Sequence, residues 1–175
     1  MTPDQYIPPV GFFYSISLIE NNGTLGISTG MDAGFQEVSG VSASFETETI
    51  KEGGENRFEY KVPKGNVTYE DLVLKRGLVV WNSALAKWCH KQLSDGLNKP
   101  IQPKILNLQL LDVRSKLPIM AWVFHDAFPV KWEVTGFTAN QSEIAIETLT
   151  FTYNYFQLVD DLGLGYMPQT PSTLL

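Results

Sequence analysis

Hydrophobic and polar residues alternate along most of this chain, which is the pattern of half-buried β-strands. The alternation is clear in the runs FFYSISLI, FETETI, RFEYKV, LVLKRG and ILNLQLLDV. After the first run, an Asn-Gly pair at residues 22–23 predicts a hairpin turn, and residues 25–29 are expected to return as a strand. The apolar face of the first run consists of Phe12, Tyr14, Ile16 and Leu18. These runs predict a chain dominated by strands.

Three runs near the C-terminus, LPIMAWVF, FPVKWEVTGF and SEIAIETLTFTYNYFQL, predict separate strands, and the last of them is long. One face of the last run is suited to solvent or to another subunit and consists of Ile144, Ile146, Thr148, Thr150 and Thr152. The opposite face is mainly apolar and is expected to face the core: Ala145, Glu147, Leu149, Phe151, Tyr153 and Tyr155.

One stretch, VVWNSALAKWCHKQLSDG, replaces the alternation with helical spacing. Asn82 or Ser83 can cap the start of this helix, and Gly96 follows its end. The stripe expected to pack on a sheet consists of Trp81, Leu85, Trp88 and Gln92, with Ala84 and Cys89 beside it. The predicted fold is therefore mainly β: an antiparallel β-barrel or two-sheet sandwich with one flanking α-helix and a long projecting β-hairpin.

The projecting hairpin is predicted to cover residues 43–62, with the glycine-rich turn KEGGEN between its two strands. Pairing the strands would set Glu46 and Glu48 across from Arg57 and Lys61, a favourable cross-strand arrangement. The other face would be lined by aromatic residues and threonines. A two-stranded arm is marginally stable alone and needs a surface to lie on, which is either its own barrel or a neighbouring subunit.

Length and charge narrow the possible classes of protein. The chain has 175 residues, enough for one domain with its own core. Prolines at both ends predict an arm over residues 1–11 and a tail over residues 159–175, which leaves residues 12–158 for the barrel. The formal charge of −6, without a basic tract, argues against nucleic-acid recognition. The start lacks the basic region of a secretory signal, and no apolar run reaches the ~20 residues that span a membrane.

Candidate catalytic and metal-ligating residues are few. His90 lies on the predicted helix and is interpreted as a surface residue. His125 precedes Asp126, but neighbours on a strand point to opposite faces, so His125 is interpreted as a polar group in a turn. Cys89 is interpreted as a small buried hydrophobe. The sequence thus predicts no catalytic, cofactor-binding or metal site, no cofactor and no enzyme activity.

The runs FQEVSGV, KEGGEN, KVPKG, YEDLVLKRGL, AFPVKWEV and IAIETLTFTYNYF, in this order, resemble the inner-tube proteins of contractile phage tails and phage-tail-like (extracellular) contractile injection systems. The resemblance implies a structural subunit whose hexameric rings stack into a hollow tube inside a sheath. It also implies partners: other copies of the chain, the sheath protein, baseplate and spike proteins, and cargo in the lumen. It implies assembly in the bacterial cytoplasm without a signal peptide and without membrane insertion, as part of a phage-tail-like particle.

The resemblance also implies a role for the hairpin, since in such tubes a hairpin reaches the adjoining ring or subunit. The contact residues that it implies are Glu46, Glu48, Lys51, Glu52, Gly53, Gly54, Glu55, Asn56, Arg57, Glu59 and Lys61. Within the family, the motifs favour a baseplate-proximal subunit that initiates the tube.

Two other functions stay open at this point. One is a secreted carrier or effector of the type VI secretion kind, in which each ring remains discrete and binds cargo. The other is a carbohydrate-active enzyme built on a barrel, which would use exposed tryptophans from the set Trp81, Trp88, Trp122 and Trp132.

Overall fold

The computed structural model describes residues 12–19, 31–54, 57–78, 83–114, 117–135 and 145–159. The predicted arm, the predicted return strand over residues 25–29, most of the predicted tail, and Trp81, Asn82 and Ile144 lie outside the described residues. The domain boundaries at residues 11 and 158 therefore stay predictions.

The described residues form ten strands, one α-helix and one short 3-10 turn. In chain order they are β1 (Phe12–Ile19), β2 (Met31–Phe35), β3 (Glu37–Ser39), β4 (Ala43–Ile50), β5 (Tyr60–Tyr69), β6 (Leu72–Gly77), α1 (Ala84–Asp95), the 3-10 turn (Gly96–Asn98), β7 (Lys104–Asp112), β8 (Pro118–Val134), β9 (Ile146–Thr152) and β10 (Tyr155–Val159).

Antiparallel pairing closes most of these strands into a barrel. The strands β1, β7, β8, β9 and β6 pair in that order. At the two ends of this row, β2 pairs with β1 and β3 pairs with β6. Only Gln36 separates β2 from β3, and its backbone N–H donates to the Lys75 carbonyl at 2.9 Å. Residues 31–39 therefore act as one bent strand that joins both ends of the row, and the predicted β-barrel is confirmed.

The longest strand, β8, forms where two strands were predicted. Its first half pairs with β7 and β10, and its second half pairs with β9. The bend between the halves lies at Asp126, which has φ of 55° and whose Oδ2 accepts a hydrogen bond from Asn154 Nδ2 at 2.9 Å. Aspartate tolerates this left-handed backbone better than most residues do. The prediction of two separate strands was wrong, because the chain bends at Asp126 but stays paired with its neighbours in the sheet.

The predicted long final strand is, in contrast, divided into β9 and β10. Asn154 lies at the break, and its backbone N–H donates to the His125 carbonyl at 3.0 Å. Up to the break, the predicted core face is confirmed, because Glu147, Leu149, Phe151 and Tyr153 are buried. Beyond it the prediction was wrong, since Tyr155 is 39% exposed.

The barrel is filled by side chains, most of which the alternation predicted to be buried. Ile16 and Leu18 of β1 are buried as expected, whereas Phe12, at the end of the strand, is 50% exposed. The fully buried apolar residues on the other strands include Leu72, Leu74, Leu106, Leu108, Phe124, Leu149 and Phe151.

The helix α1 has the caps that its sequence predicted. Ser83 Oγ accepts from the backbone N–H of Ala86 at 2.9 Å, and the Gly96 N–H bonds to the Gln92 carbonyl. Leu85 and Cys89 are fully buried in the core. Trp88 stacks on the Phe151 ring, with 5.6 Å between the ring centroids, which confirms the predicted packing of the helix on the sheet. The described part of the chain contains no helix that is long and apolar enough to cross a membrane.

A buried ion network fastens the helix to the barrel. Arg76 of β6 is 2% exposed and donates from Nε to Glu147 Oε2 of β9 at 2.7 Å. The guanidinium also donates to Ser83 Oγ at 2.6 Å and to Asp32 Oδ1 at 3.2 Å. Its charge lies over the Phe35 ring at 4.8 Å from the centroid. One arginine thus joins β2, β6, β9 and the residue that caps the helix.

The two carboxylates of this network have further donors. Asp32 Oδ2 accepts from the backbone N–H of Leu85 at 2.8 Å, in the first turn of the helix. Glu147 Oε1 accepts from Trp132 Nε1 at 2.9 Å. Because a buried charge is costly unless it is paired and hydrogen-bonded, these contacts allow the three charges to lie inside the protein.

Candidate interaction site

The hairpin formed by β4 and β5 is a two-stranded sheet separate from the barrel. Every residue of β4 is exposed, and in the ten-residue β5 only Val62, Val67 and Tyr69 are half-buried. In β5 the alternation of exposed and buried residues that marks the barrel strands is almost lost. The predicted projecting hairpin therefore exists, and it reaches further than residue 62 at its second strand.

The register of the hairpin differs from the predicted pairing. Glu46 lies opposite Lys64, and Glu48 lies opposite Val62. Lys61 lies opposite Thr49, so it occupies the other face from the two glutamates. The prediction that Lys61 faces the acidic pair was wrong, because a slip of one residue moves a whole strand to the opposite face. Arg57 precedes β5 and is not part of this ladder.

A bulge in β5 interrupts the ladder on the root side of Glu46. Phe45 pairs with Val67 and Glu46 pairs with Lys64, which leaves Gly65 and Asn66 without a partner on β4. Gly65 has φ of +76°, a conformation that glycine adopts without steric cost.

The tip of the hairpin is open to solvent. Lys51 Nζ and Glu59 Oε1 form an exposed ion pair at 2.8 Å just before the turn. A Cβ atom at Gly53 or at Gly54 would meet nothing within 4 Å. Gly54 also has φ of +105°, which favours glycine, whereas Gly53 has no such constraint. The tip can therefore receive another surface close to its backbone.

The structure places the predicted contact residues along one arm. Glu46 and Glu48 lie on β4, Lys61 lies on β5, and Lys51 and Glu59 form the ion pair above. Around the turn it describes Glu52, Gly53, Gly54 and Arg57 as exposed residues. Glu55 and Asn56 lie outside the described residues.

Large apolar side chains are exposed on the same arm. Phe45, Ile50, Phe58 and Tyr60 are between 45% and 55% exposed, and the Phe58 and Tyr60 rings meet edge to face at 5.1 Å. Pro63, opposite Thr47, cannot donate a backbone hydrogen bond, which is tolerated because each strand of a two-stranded sheet is an edge strand. Exposed apolar groups beside free strand edges indicate a surface that binds protein.

The root of the hairpin is held against the barrel. Gly40, with φ of +86°, lies so close to β6 that a Cβ atom there would be 1.8 Å from the Asp71 carbonyl oxygen. The Gly40 carbonyl accepts a hydrogen bond from Tyr153 Oη at 3.1 Å. Tyr69, the last residue of β5, packs its ring against Tyr153 and Phe156 at 5.9 and 5.7 Å. These contacts fix the direction in which the arm leaves the barrel.

Residues considered for chemistry occupy structural positions. His90 is exposed on α1, as predicted, with its ring edge-on to Trp132 at 5.8 Å. His125 lies within β8, not in a turn, and stacks on the Tyr155 ring at 4.4 Å, so its predicted position was wrong. Burial raises the pKa of the Cys89 thiol well above its ordinary range. Within the described ranges, no group of three or more His, Cys, Asp and Glu side chains is placed to hold a metal ion.

The tryptophans do not form an open aromatic platform among the described residues. Trp88 and Trp122 are packed against the core. Trp132 is 40% exposed, but its Nε1 is bound to Glu147. This arrangement does not favour the carbohydrate-active hypothesis.

A comparison with protein families gives one match over most of the chain. The family model of the T4-like virus tail tube protein gp19 matches residues 11–157. No curated protein sequence matches the chain.

Solved structures share the fold. A chain in the structure of the anti-feeding prophage baseplate has 26% identity and a TM-score of 0.69, over 88% of this chain and 97% of that chain. A chain in the sheath–tube complex of PVC, an extracellular contractile injection system, has 22% identity and a TM-score of 0.63, over 89% and 93%. A crystal structure of an Hcp protein has 11% identity and a TM-score of 0.51, over 82% and 90%. The last two likenesses concern the fold alone.

Proposed function

Because the chain belongs to the T4-like virus tail tube protein gp19 family, we propose that its copies form hexameric rings that stack into the inner tube of a contractile injection system. The chain is a structural tube subunit, a role that the family match supports together with the likeness to a baseplate chain. Its proposed role is in assembly of the tube, and no reaction is assigned to it.

The observation that carries the proposal is the exposed hairpin on a closed barrel. A sheet of two strands is marginally stable in water, yet β4 keeps eight paired residues without burying one of them. A contact outside the subunit would cover the apolar side chains and the free edges. We assign that contact to the adjoining ring or subunit, through the residues of β4, the tip and the start of β5.

The contact made by the hairpin implies that other copies of the chain are its first partners. A contact between unlike surfaces closes into a ring when its rotation closes, and a second such contact stacks one ring on the next. The likeness to chains from a baseplate and from a sheath–tube complex supports a sheath protein and baseplate proteins as the further partners. Assembly takes place in the bacterial cytoplasm before the particle acts.

Within the tube, we place this chain next to the baseplate. The support is the 26% identity with a chain of the anti-feeding prophage baseplate structure, which accompanies a TM-score of 0.69. A subunit that initiates a tube should form single rings or short stacks by itself, whereas a bulk tube protein should elongate into long tubes.

Electron microscopy of the purified protein tests the proposal. We expect rings of constant diameter at high concentration, alone or in stacks. The variant Gly53→Val should remain as folded as the wild type, because nothing lies within 4 Å of that position, and it should lose stacking. The variant Gly53→Ala serves as a graded control with a smaller added group.

Three results would contradict parts of the proposal. A monomer at every concentration would contradict tube assembly altogether. Normal stacking of Gly53→Val would contradict the contact role of the tip. Discrete hexamers that never stack and that co-purify with small effectors would favour the carrier function instead.

A further inference from the structure

The exposed face of α1 is basic. Lys87 lies three and four residues before His90 and Lys91, and these lie four and three residues before Ser94, so the four share one side of the helix. All four are exposed. Among the described residues, neither lysine forms an ion pair, in a chain whose formal charge is −6. The acidic residue at the end of the helix, Asp95, is bound to Lys99 at 3.1 Å.

One of the two exposed faces of β4 is acidic. Glu46 and Glu48 point to the same side of the hairpin, since they are two residues apart on one strand. Within the described part of the chain neither forms an ion pair, although Lys64 lies opposite Glu46 in the ladder. Ile50 continues this face toward the tip and is 46% exposed.

The two faces match in spacing. Residues two apart on a strand are separated by about 6.6 Å along its axis. Residues four apart on a helix are separated by about 6 Å along its axis. A strand lying along the helix could therefore set both glutamates beside both lysines. Trp132, which is 40% exposed and borders His90, offers an apolar neighbour for Ile50.

We propose that Glu46 and Glu48 of one subunit's hairpin pair with Lys87 and Lys91 on the α1 helix of an adjoining subunit. The proposal rests on the tube assembly proposed above and names the surface that receives the arm. It commits to a second copy of this chain as the occupant because one chain carries both complementary faces. Since the two faces differ, the contact is heterologous, as ring stacking requires.

A charge-swap experiment tests this pairing. The variant Lys87→Glu/Lys91→Glu sets four carboxylates together, and the variant Glu46→Lys/Glu48→Lys sets four ammonium groups together. We expect each to lower the amount of protein that sediments as stacked rings by roughly tenfold or more, because like charges at an interface are repulsive. The variant that carries all four substitutions should recover to within about threefold of the wild type, since opposite charges meet again.

The controls separate charge from folding. Lys75→Glu/Lys131→Glu changes the net charge by the same amount as the lysine reversal, at two side chains that belong to neither face, and it should assemble like the wild type. All variants should keep the wild-type melting temperature within about 2 °C, since the substituted residues of both faces are exposed and the two control side chains are 41% and 62% exposed.

Each other outcome overturns the pairing. If the lysine reversal assembles normally while Gly53→Val does not, the hairpin contacts a different surface and the tube function stands. If the lysine reversal forms tubes that fail to bind sheath, an acidic sheath segment is the occupant instead. If the fourfold variant stays unassembled, the two faces do not meet. If the wild type itself forms no rings, the tube proposal fails, and this pairing fails with it.

Discussion

The barrel and the hairpin of this protein differ in which side chains they bury and which they expose. In the barrel, even the charged residues Arg76 and Glu147 are 2% exposed and hold each other at 2.7 Å. In the hairpin, apolar residues as large as Phe45 and Phe58 are at least half exposed, and the ion pair between Lys51 and Glu59 lies in solvent. The barrel pairs these buried charges within the subunit, whereas the hairpin leaves large apolar side chains exposed.

This difference indicates where each region gains its stability. Burial of apolar area stabilises the barrel in the isolated subunit. The hairpin gains little from burial, so its order depends on its root at Gly40 and Tyr69 and, in our account, on a neighbouring subunit. The following substitutions test the stability of the two regions separately.

The largest effect is expected in the barrel, at Arg76. Arg76→Met leaves the carboxylates of Asp32 and Glu147 inside the protein without their cation, and it removes a donor from Ser83. Breaking a buried ion pair by removing one partner costs about 3–5 kcal/mol of unfolding free energy. Urea denaturation of the unassembled subunit measures this loss.

The neighbouring Lys75 provides a matched control. Its ion pair with Glu37, at 2.7 Å, lies on the exposed side of the same strand. Lys75→Met should lower the unfolding free energy by less than about 1 kcal/mol, as exposed pairs contribute little. Similar losses at the two positions would show that the network does not stabilise the barrel as a buried unit.

A smaller effect is expected at the junction between the two regions. Gly40→Ala adds a Cβ atom 1.8 Å from the Asp71 carbonyl oxygen, at a backbone position with φ of +86°. Left-handed strain and the clash together should cost about 3 kcal/mol. Calorimetry of the unassembled subunit measures the cost, and electron microscopy shows whether the displaced arm still permits stacking.

Gly65→Ala serves as its control within the hairpin. Gly65 has φ of +76° but nothing within 4 Å of an added Cβ atom, so only backbone strain of about 1 kcal/mol is expected. An equal loss for both variants would contradict the close packing of the root on β6.

The smallest effect is expected at Tyr153, which binds the root through its hydroxyl group. Tyr153→Phe removes the hydrogen bond to the Gly40 carbonyl and should cost about 1 kcal/mol. Burial, followed by the charges of Asp71, Tyr69 and Glu70, raises the pKa of Tyr153 to about 12. The unfolded phenol ionises near its usual pKa of about 10.

The sign of the pH effect follows from that raised pKa. Between pH 10 and pH 12 the unfolded chain releases the Tyr153 proton while the folded chain keeps it, so the unfolding free energy falls as pH rises. The fall should be shallower in Tyr153→Phe, and the two proteins should show parallel stability below pH 9. Identical slopes above pH 10 would contradict a buried, neutral phenol at the root.

Local signals in the sequence predicted the features that depend on few neighbours. The cap at Ser83 and the end at Gly96 follow from residues within one helical turn of each terminus. The faces of β9 follow from alternation, whereas both faces of β1 are buried between Ser15 and Leu18. The exposed hairpin follows from two amphipathic runs and a glycine-rich turn.

Features that depend on distant partners could not be predicted in the same way. Arg76 and Glu147 are 71 positions apart in the sequence. The only sequence signal was that each occupies a core position of an alternating strand: Arg76 follows Leu72 and Leu74, and Glu147 precedes Leu149. The hairpin register follows from the pairing of Ile50 with Tyr60 beside the turn, which alternation alone does not reveal. The second half of β8 changes its partners without a turn in the sequence.

Hydrogen–deuterium exchange in the unassembled and assembled protein tests most directly the claim that the hairpin is completed by a neighbouring subunit. In the unassembled subunit, we expect the amides of β4 and β5 to exchange rapidly and those of β6 and β9 to be protected. Assembly into stacked rings should slow exchange in β4 and β5 by at least ~10-fold and leave β6 and β9 nearly unchanged. Rapid exchange in β4 and β5 after assembly, or equal protection of the hairpin and the barrel before it, would contradict the account.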